Sequence, residues 1–170
     1  SDAQPRRARH SQGCTQMTTP NAMPYGATHF DVRFSGTSEP VLGFCEVLFD
    51  PFVNTALLPP SPGAQVTEAA QPRLVLRRGF DGSLALYRWW DQSRKRRLQR
   101  GRTVTVHLLD PGHHSPVLSW VFSHAQPLLL AYSPLHALHG GLLMETLTLQ
   151  YDTVSMKQGP GPRQKKRAVV

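Results

Sequence analysis

Cysteine is nearly missing from this chain: Cys14 and Cys45 are the only two in 170 residues. One lies in a polar stretch and the other in an apolar run, too little for the framework of a disulfide-stapled domain. A reducing compartment, such as the cytoplasm, is the expectation. Long apolar runs are missing too, and none approaches the roughly 20 residues that cross a bilayer as a helix. The stretch SDAQPRRARH is charged and has no apolar segment behind it, which does not fit a secretory signal. No membrane insertion is expected.

Acid is scarce at both ends. Residues 1–24 hold three arginines against one aspartate, and residues 157–170 hold five lysines or arginines and no acid. The net charge of +8 therefore sits mostly in the termini, and residues 25–156 carry only +1. A body so close to neutral argues against a dedicated nucleic-acid domain. What survives of that reading is a module that binds nucleic acid through its basic termini, and it stands as the alternative function.

Catalytic signatures are missing as well. Of the eight histidines, His113 and His114 sit in a Gly-Pro turn, His136 and His139 in a loop, and His107 and His124 on separate strands. No spacing among them matches a helix-borne zinc pair or a Cys/His finger. Neither a nucleophile elbow nor a phosphate-cradling glycine loop occurs. The expectation is a protein that is not an enzyme, with no catalytic residue, no cofactor and no metal.

What the chain does have is strand periodicity. HFDVRFSG alternates Phe30, Val32 and Phe34 against His29, Asp31 and Arg33, the pattern of a half-buried strand. PVLGFCEVLF is apolar and broken at Gly43, where a bulge is expected. RLVLRR, TVTVHLL, VLSWVF, PLLLAY and LMETLTLQYD supply further strands, with DPGHHSP as a turn. Residues 50–73 hold five prolines and read as a long loop, a feature that in compact domains is commonly functional. The fold class is mainly β, an antiparallel barrel or sandwich of six to seven strands with one flanking helix over about 82–97. Residues 1–27 form an N-terminal arm, 28–156 the domain, and 157–170 a basic tail.

The helix raises the functional question. Asp81 and Ser83 both suit its N-cap. Leu84, Ala85, Leu86, Tyr87, Trp89 and Trp90 then cover well over half the circumference of its first two turns, where a surface helix shows one stripe. Either the aromatics plug the barrel end and pack under a loop, or the helix is buried twice, by its own sheet and by another subunit. Tyr87, Trp89 and Trp90 are the interface candidates. Arg94, Lys95, Arg96, Arg97, Arg100 and Arg102 follow. A helix C-terminus favours cations by about 0.3–1 kcal/mol each within its last turn, which accounts for one or two of them. The six make a solvated patch or an electrostatic contact with an acidic partner face.

Taken in order, HFDVRFSG, LGFCEV, LVLRRGF, LALYRWW, RTVTVHLLD, SWVFSHAQP and LLMETLTLQYD resemble the tail-tube protein family of contractile phages and phage-derived contractile injection systems. The resemblance covers roughly residues 28–152. It implies a small β-barrel or sandwich flanked by a helix, six copies closing a ring, and rings stacking into a hollow tube within a sheath. Partners would be adjacent rings, sheath and baseplate proteins, with nucleic acid only as luminal cargo in a phage. The loop 48–70 matches the region that reaches toward neighbouring subunits, making Phe52, Val53, Leu57 and Leu58 interface candidates. Glu145 matches the acid of a recurring Glu-Thr-Leu strand; it shares a face with Leu143, Leu147, Leu149 and Tyr151, and if that face is buried it needs a hydrogen-bonding or cationic partner. Two features depart from the family's bulk subunit: a proline-rich, nearly uncharged loop, and about 27 residues before the first strand with a basic tail after the last. They suit a specialised ring at the baseplate end of the tube, with Arg163, Lys165, Lys166 and Arg167 docking on an acidic surface.

Overall fold

The computed structural model describes residues 25–37, 43–54, 71–95, 101–112 and 115–160. Among these lie β1 (Phe30–Phe34), β2 (Phe44–Phe49), β3 (Arg73–Gly79), α1 (Ala85–Lys95), β4 (Arg102–Leu109), β5 (Pro116–Tyr132), β6 (Met144–Gln150) and β7 (Thr153–Gln158). All strand pairs are antiparallel. The fold is mainly β, with one helix among the described residues.

The 17-residue β5 is the spine. Its first part pairs with β4 on one side, Val104 opposite Phe122, and with β7 on the other, Phe122 opposite Val154. Its second part pairs with β6, Leu130 opposite Leu147. Two layers result, β1-β4-β5-β7 and β5-β6-β3-β2, joined where β5 passes from one to the other. The corner is at His124, whose φ of 54° is one that L-residues seldom adopt. Beside it, Asp152 N–H donates to Ser123 O at 3.1 Å as β6 gives way to β7. Gly101 fits under this corner because a Cβ there would stand 2.4 Å from the His124 carbonyl carbon.

The hydrogen-bonded path ends on β1 and β2, so the sheet does not close on itself. Side chains bridge the gap instead: the Phe34 and Phe44 rings lie 5.9 Å apart across it. Inside, Val32, Val104, Val106 and Phe122 meet Leu74, Leu76, Leu147 and Leu149 from the facing layer, the alternate positions of each strand. Leu86 and Trp89 of α1 complete this core.

Local chemistry explains the helix boundaries. Gly82, at φ 89°, turns the chain out of β3. Asp81 Oδ1 then accepts Ser83 N–H at 2.9 Å, and Ser83 Oγ accepts Ala85 N–H at 3.3 Å, so both expected caps take part in succession. The ordered helix starts at Ala85 rather than 82, because these two contacts use non-helical backbone.

Three details differ from the sequence-based expectation. SHAQP is not a break: β5 runs through it, with a register shift at Pro127 where the strand has a neighbour on one side only. LMETLTLQYD divides at Tyr151–Asp152, and a further strand, β7, continues to Gln158, past the expected domain boundary at 156. In β2 the register shifts between Phe44 and Glu46, beside Gly43 with φ 80°.

Candidate assembly interface

The helix presents two different aromatic faces. Trp89 is 6% exposed and points into the core, with its ring 5.3 Å from Phe34 in an edge-on contact and the Arg102 guanidinium 4.7 Å from its centroid. Trp90, one residue on, is half-buried. Its ring lies 6.0 Å from that of Tyr87, itself 41% exposed, and Arg94 stands over it at 5.2 Å. With exposed Leu84 in the preceding turn, Tyr87 and Trp90 form a partly exposed apolar strip.

The basic patch is more neutralised than its sequence suggests. Asp91 accepts from Arg94 Nε at 2.8 Å and Lys95 Nζ at 2.5 Å, contacts one helical turn apart. The hydrogen bond from Lys95, followed by that from Arg94, holds the Asp91 carboxyl below the usual range. Arg102 belongs to Trp89, and burial lowers its pKa. Arg96, Arg97 and Arg100 lie outside the described residues, as do Leu57, Leu58 and the tail residues Arg163, Lys165, Lys166 and Arg167. Of the loop candidates, Phe52 and Val53 are exposed, following Phe49, whose ring stacks on Phe122 at 5.7 Å and tilts against Trp120 at 5.2 Å.

Glu145 is wholly buried, and its partners come from two neighbouring strands. Arg78 Nε of β3 donates to its Oε2 at 2.8 Å, and Tyr132 O–H of β5 donates to its Oε1 at 2.9 Å. Arg78, equally buried, also reaches Asp81 Oδ2 at 3.2 Å and the Ser83 carbonyl at 3.4 Å. The network thus ties β3, β5 and β6 to the turn that starts the helix. Burial and then the Glu145 hydrogen bond push the Tyr132 phenol up to about 12.

The sequence reading passed over the β5–β6 connection, which opens from this same end. Phe80 N–H donates to Leu143 O at 2.8 Å, and the Phe80 ring meets Tyr132 edge-on at 6.2 Å. Beyond them Leu135, Leu138 and Leu142 are each more than four-fifths exposed. The signal is present as four leucines in SPLHALHGGLL, but the glycines and serine mark it simply as a loop.

Strand edges, an exposed aromatic strip and a leucine-bearing loop are surfaces that contact with another subunit would cover. Among the described residues, no group of three His, Cys, Asp or Glu side chains converges, and no helix is long and apolar enough to cross a membrane. Residues 64–155, more than half of the chain, match the family described as T4-like virus tail tube protein gp19. The chain belongs to this tail-tube family.

The tail-tube fold recurs in solved particles. A chain in the extended sheath–tube complex of the PVC extracellular contractile injection system superposes with a TM-score of 0.63 at 21% identity, over 87% of this chain and 99% of the other. A chain in the baseplate of the anti-feeding prophage does so at 0.57 and 22% identity, over 81% and 97%. A chain in the tube-terminating cap of that prophage gives 0.59 at 19%, over 86% and 99%. At these identities the likeness is one of fold. No curated protein matches this tail-tube chain.

Proposed function

We propose that this tail-tube protein is a structural subunit of the inner tube of a phage tail or contractile injection particle. Six copies close a ring around a channel, and the ring is a specialised one at the baseplate end. The observation that carries the reading is the partly exposed strip of Tyr87 and Trp90 beside an open sandwich whose path ends on β1 and β2. Apolar surface and unpaired strand edges are hazards for a lone domain, and a repeated heterologous contact around an axis removes both.

Family membership supports the tube assignment, and likeness to chains in baseplate and cap structures supports a fold that serves tube ends as well as tube length. Position at the baseplate end rests on the proline-rich loop and on the termini, with residues 1–27 as an arm onto an adjacent ring or baseplate protein. The tail beyond β7, with Arg163, Lys165, Lys166 and Arg167, docks on an acidic surface. Assembly takes place in the cytoplasm.

Negative-stain imaging of the full chain, alone and with the tube and baseplate proteins of its particle, tests this. Rings or short stacks capped at one end are expected. A chain that stays single with every partner supplied overturns the proposal.

A further inference from the structure

Beside the core face of α1 lies a small pocket with an unusual charge. It is a hollow of about 170 Å³ bordered by Arg88, Trp89 and Gln92 of the helix, Gly36 and Thr37 of the turn after β1, and Arg102 at the start of β4. The turn is pinned to β4 by Ser35, whose N–H donates to Thr103 O at 2.9 Å while its Oγ accepts Thr103 N–H at 2.8 Å. Arg88 and Gln92 are four apart and share one helical stripe.

The two guanidiniums lack the partner that four other described arginines have. Arg33 meets Asp31, Arg77 meets Glu46, Arg78 meets Glu145, and Arg94 meets Asp91. Among the described residues neither Arg88 nor Arg102 has a carboxylate. Arg102 is nonetheless half-buried over the Trp89 ring. A partly desolvated cation without a counter-ion is costly, and an anion brought to it recovers that cost. Guanidinium forks and an amide lining one hollow are donors suited to a planar oxyanion.

We propose that the Arg88–Arg102 pocket is an oxyanion site that takes the carboxylate of an acidic side chain from a neighbouring copy of this chain. Its size admits a single such group. Among the described residues the adjacent cations Arg94 and Lys95 are already held by Asp91, so these offer no basic track for a nucleic-acid backbone to follow. The chain carries exposed carboxylates to supply, Asp152 among them. The choice of occupant rests on the ring assembly proposed above; the oxyanion pocket itself does not.

Two measurements separate these. Inorganic phosphate titrated into the full chain at low ionic strength shifts the indole N–H resonance of Trp89, assigned by its loss in Trp89→Phe, and leaves that of Trp120 in place. The shift disappears in Arg102→Met and in Arg88→Gln. No shift of Trp89 in the parent chain overturns the pocket, whether or not rings form.

The second measurement uses Arg88→Lys, which puts a carbodiimide-reactive amine in the pocket, in assemblies mixed from isotopically light and heavy chains. Zero-length crosslinks from position 88 to an aspartate or glutamate of the other isotopic form are expected. Assemblies that give only same-chain crosslinks, or none from position 88, overturn the neighbouring carboxylate as occupant. A phosphate shift together with protection by single-stranded DNA would transfer the site to nucleic acid and also overturn it.

Discussion

Arg78 and Glu145 face each other from adjacent strands, Nε to Oε2 at 2.8 Å, with both side chains sealed from solvent. Their register, Arg78 opposite Glu145 in β3 and β6, is that of a cross-strand pair. An ion pair so placed contributes more to holding elements in one arrangement than to net stability, because desolvation offsets most of its attraction. Removing one partner is a different matter. Arg78→Met leaves the buried Glu145 carboxylate without its cation and Glu145→Gln leaves the buried Arg78 with only the exposed carboxylate of Asp81; each costs about 3–5 kcal/mol, while replacing both with apolar residues recovers most of that. Urea unfolding of the three variants checks this; equal losses in the singles and the double contradict it.

The same network governs a titration. Tyr132 is pushed up to about 12 by burial and by its bond to Glu145. The folded value is the higher one, so this contribution is present below the ordinary tyrosine range near 10 and fades as pH rises toward the folded value. Tyrosinate absorbance should show late-titrating phenols, Tyr132 and Tyr151, of which that of Tyr132 moves to lower pH in Glu145→Gln.

Adjacent tryptophans should respond oppositely. Trp89→Ala empties a core position packed on Phe34 and Arg102, at a cost of about 3–5 kcal/mol. Trp90→Ala removes a half-exposed ring and costs roughly 1 kcal/mol or less, yet impairs assembly. Thermal melting paired with sedimentation separates the two. Equal destabilisation by both would mean that the helix has a single buried face.

Much of this was legible in the residues. Alternation in HFDVRFSG and TVTVHLL placed β1 and β4, since a period of two has one reading when one face is buried. The odd-numbered row of β6 identified Glu145 as sharing a face with core leucines. Its cation was not legible, because Arg78 is 67 positions away and only the pairing of β3 with β6 brings them together. SHAQP misled because proline normally ends a strand, and it is accommodated here at a register shift on a one-sided stretch of β5. The helix wheel showed excess apolar surface without dividing it; the direction of Phe34 and Arg102 decides that Trp89 turns inward.

A pH dependence follows from His107. Its Nδ1 lies 2.7 Å from Ser119 Oγ, and burial, then the charge of Arg33, lower its pKa, while Asp31 pulls the other way. The folded form resists protonation more than the unfolded chain does. Stability is therefore unaffected well above the free imidazole value of about 6.5 and declines as pH falls through it. His107→Gln should flatten the melting temperature between neutral and mildly acidic pH. A variant with the parent's acid slope contradicts this.

The corner between the layers depends on a missing side chain. A Cβ at Gly101 would press on the His124 backbone, which cannot swing aside as a side chain can. Gly101→Ala should cost about 1–3 kcal/mol or more. Gly140→Ala, with open space around it, is the control. Comparable melting of the two would remove the close approach from the account.

Native mass spectrometry of the full chain, with its tube and baseplate partners present and absent, addresses the central claim most directly. A closed species of six 18.9 kDa subunits is the predicted result, dispersed by Trp90→Ala while the monomer fold persists. A single 18.9 kDa species under every condition, with Tyr87 and Trp90 left facing solvent, would contradict it.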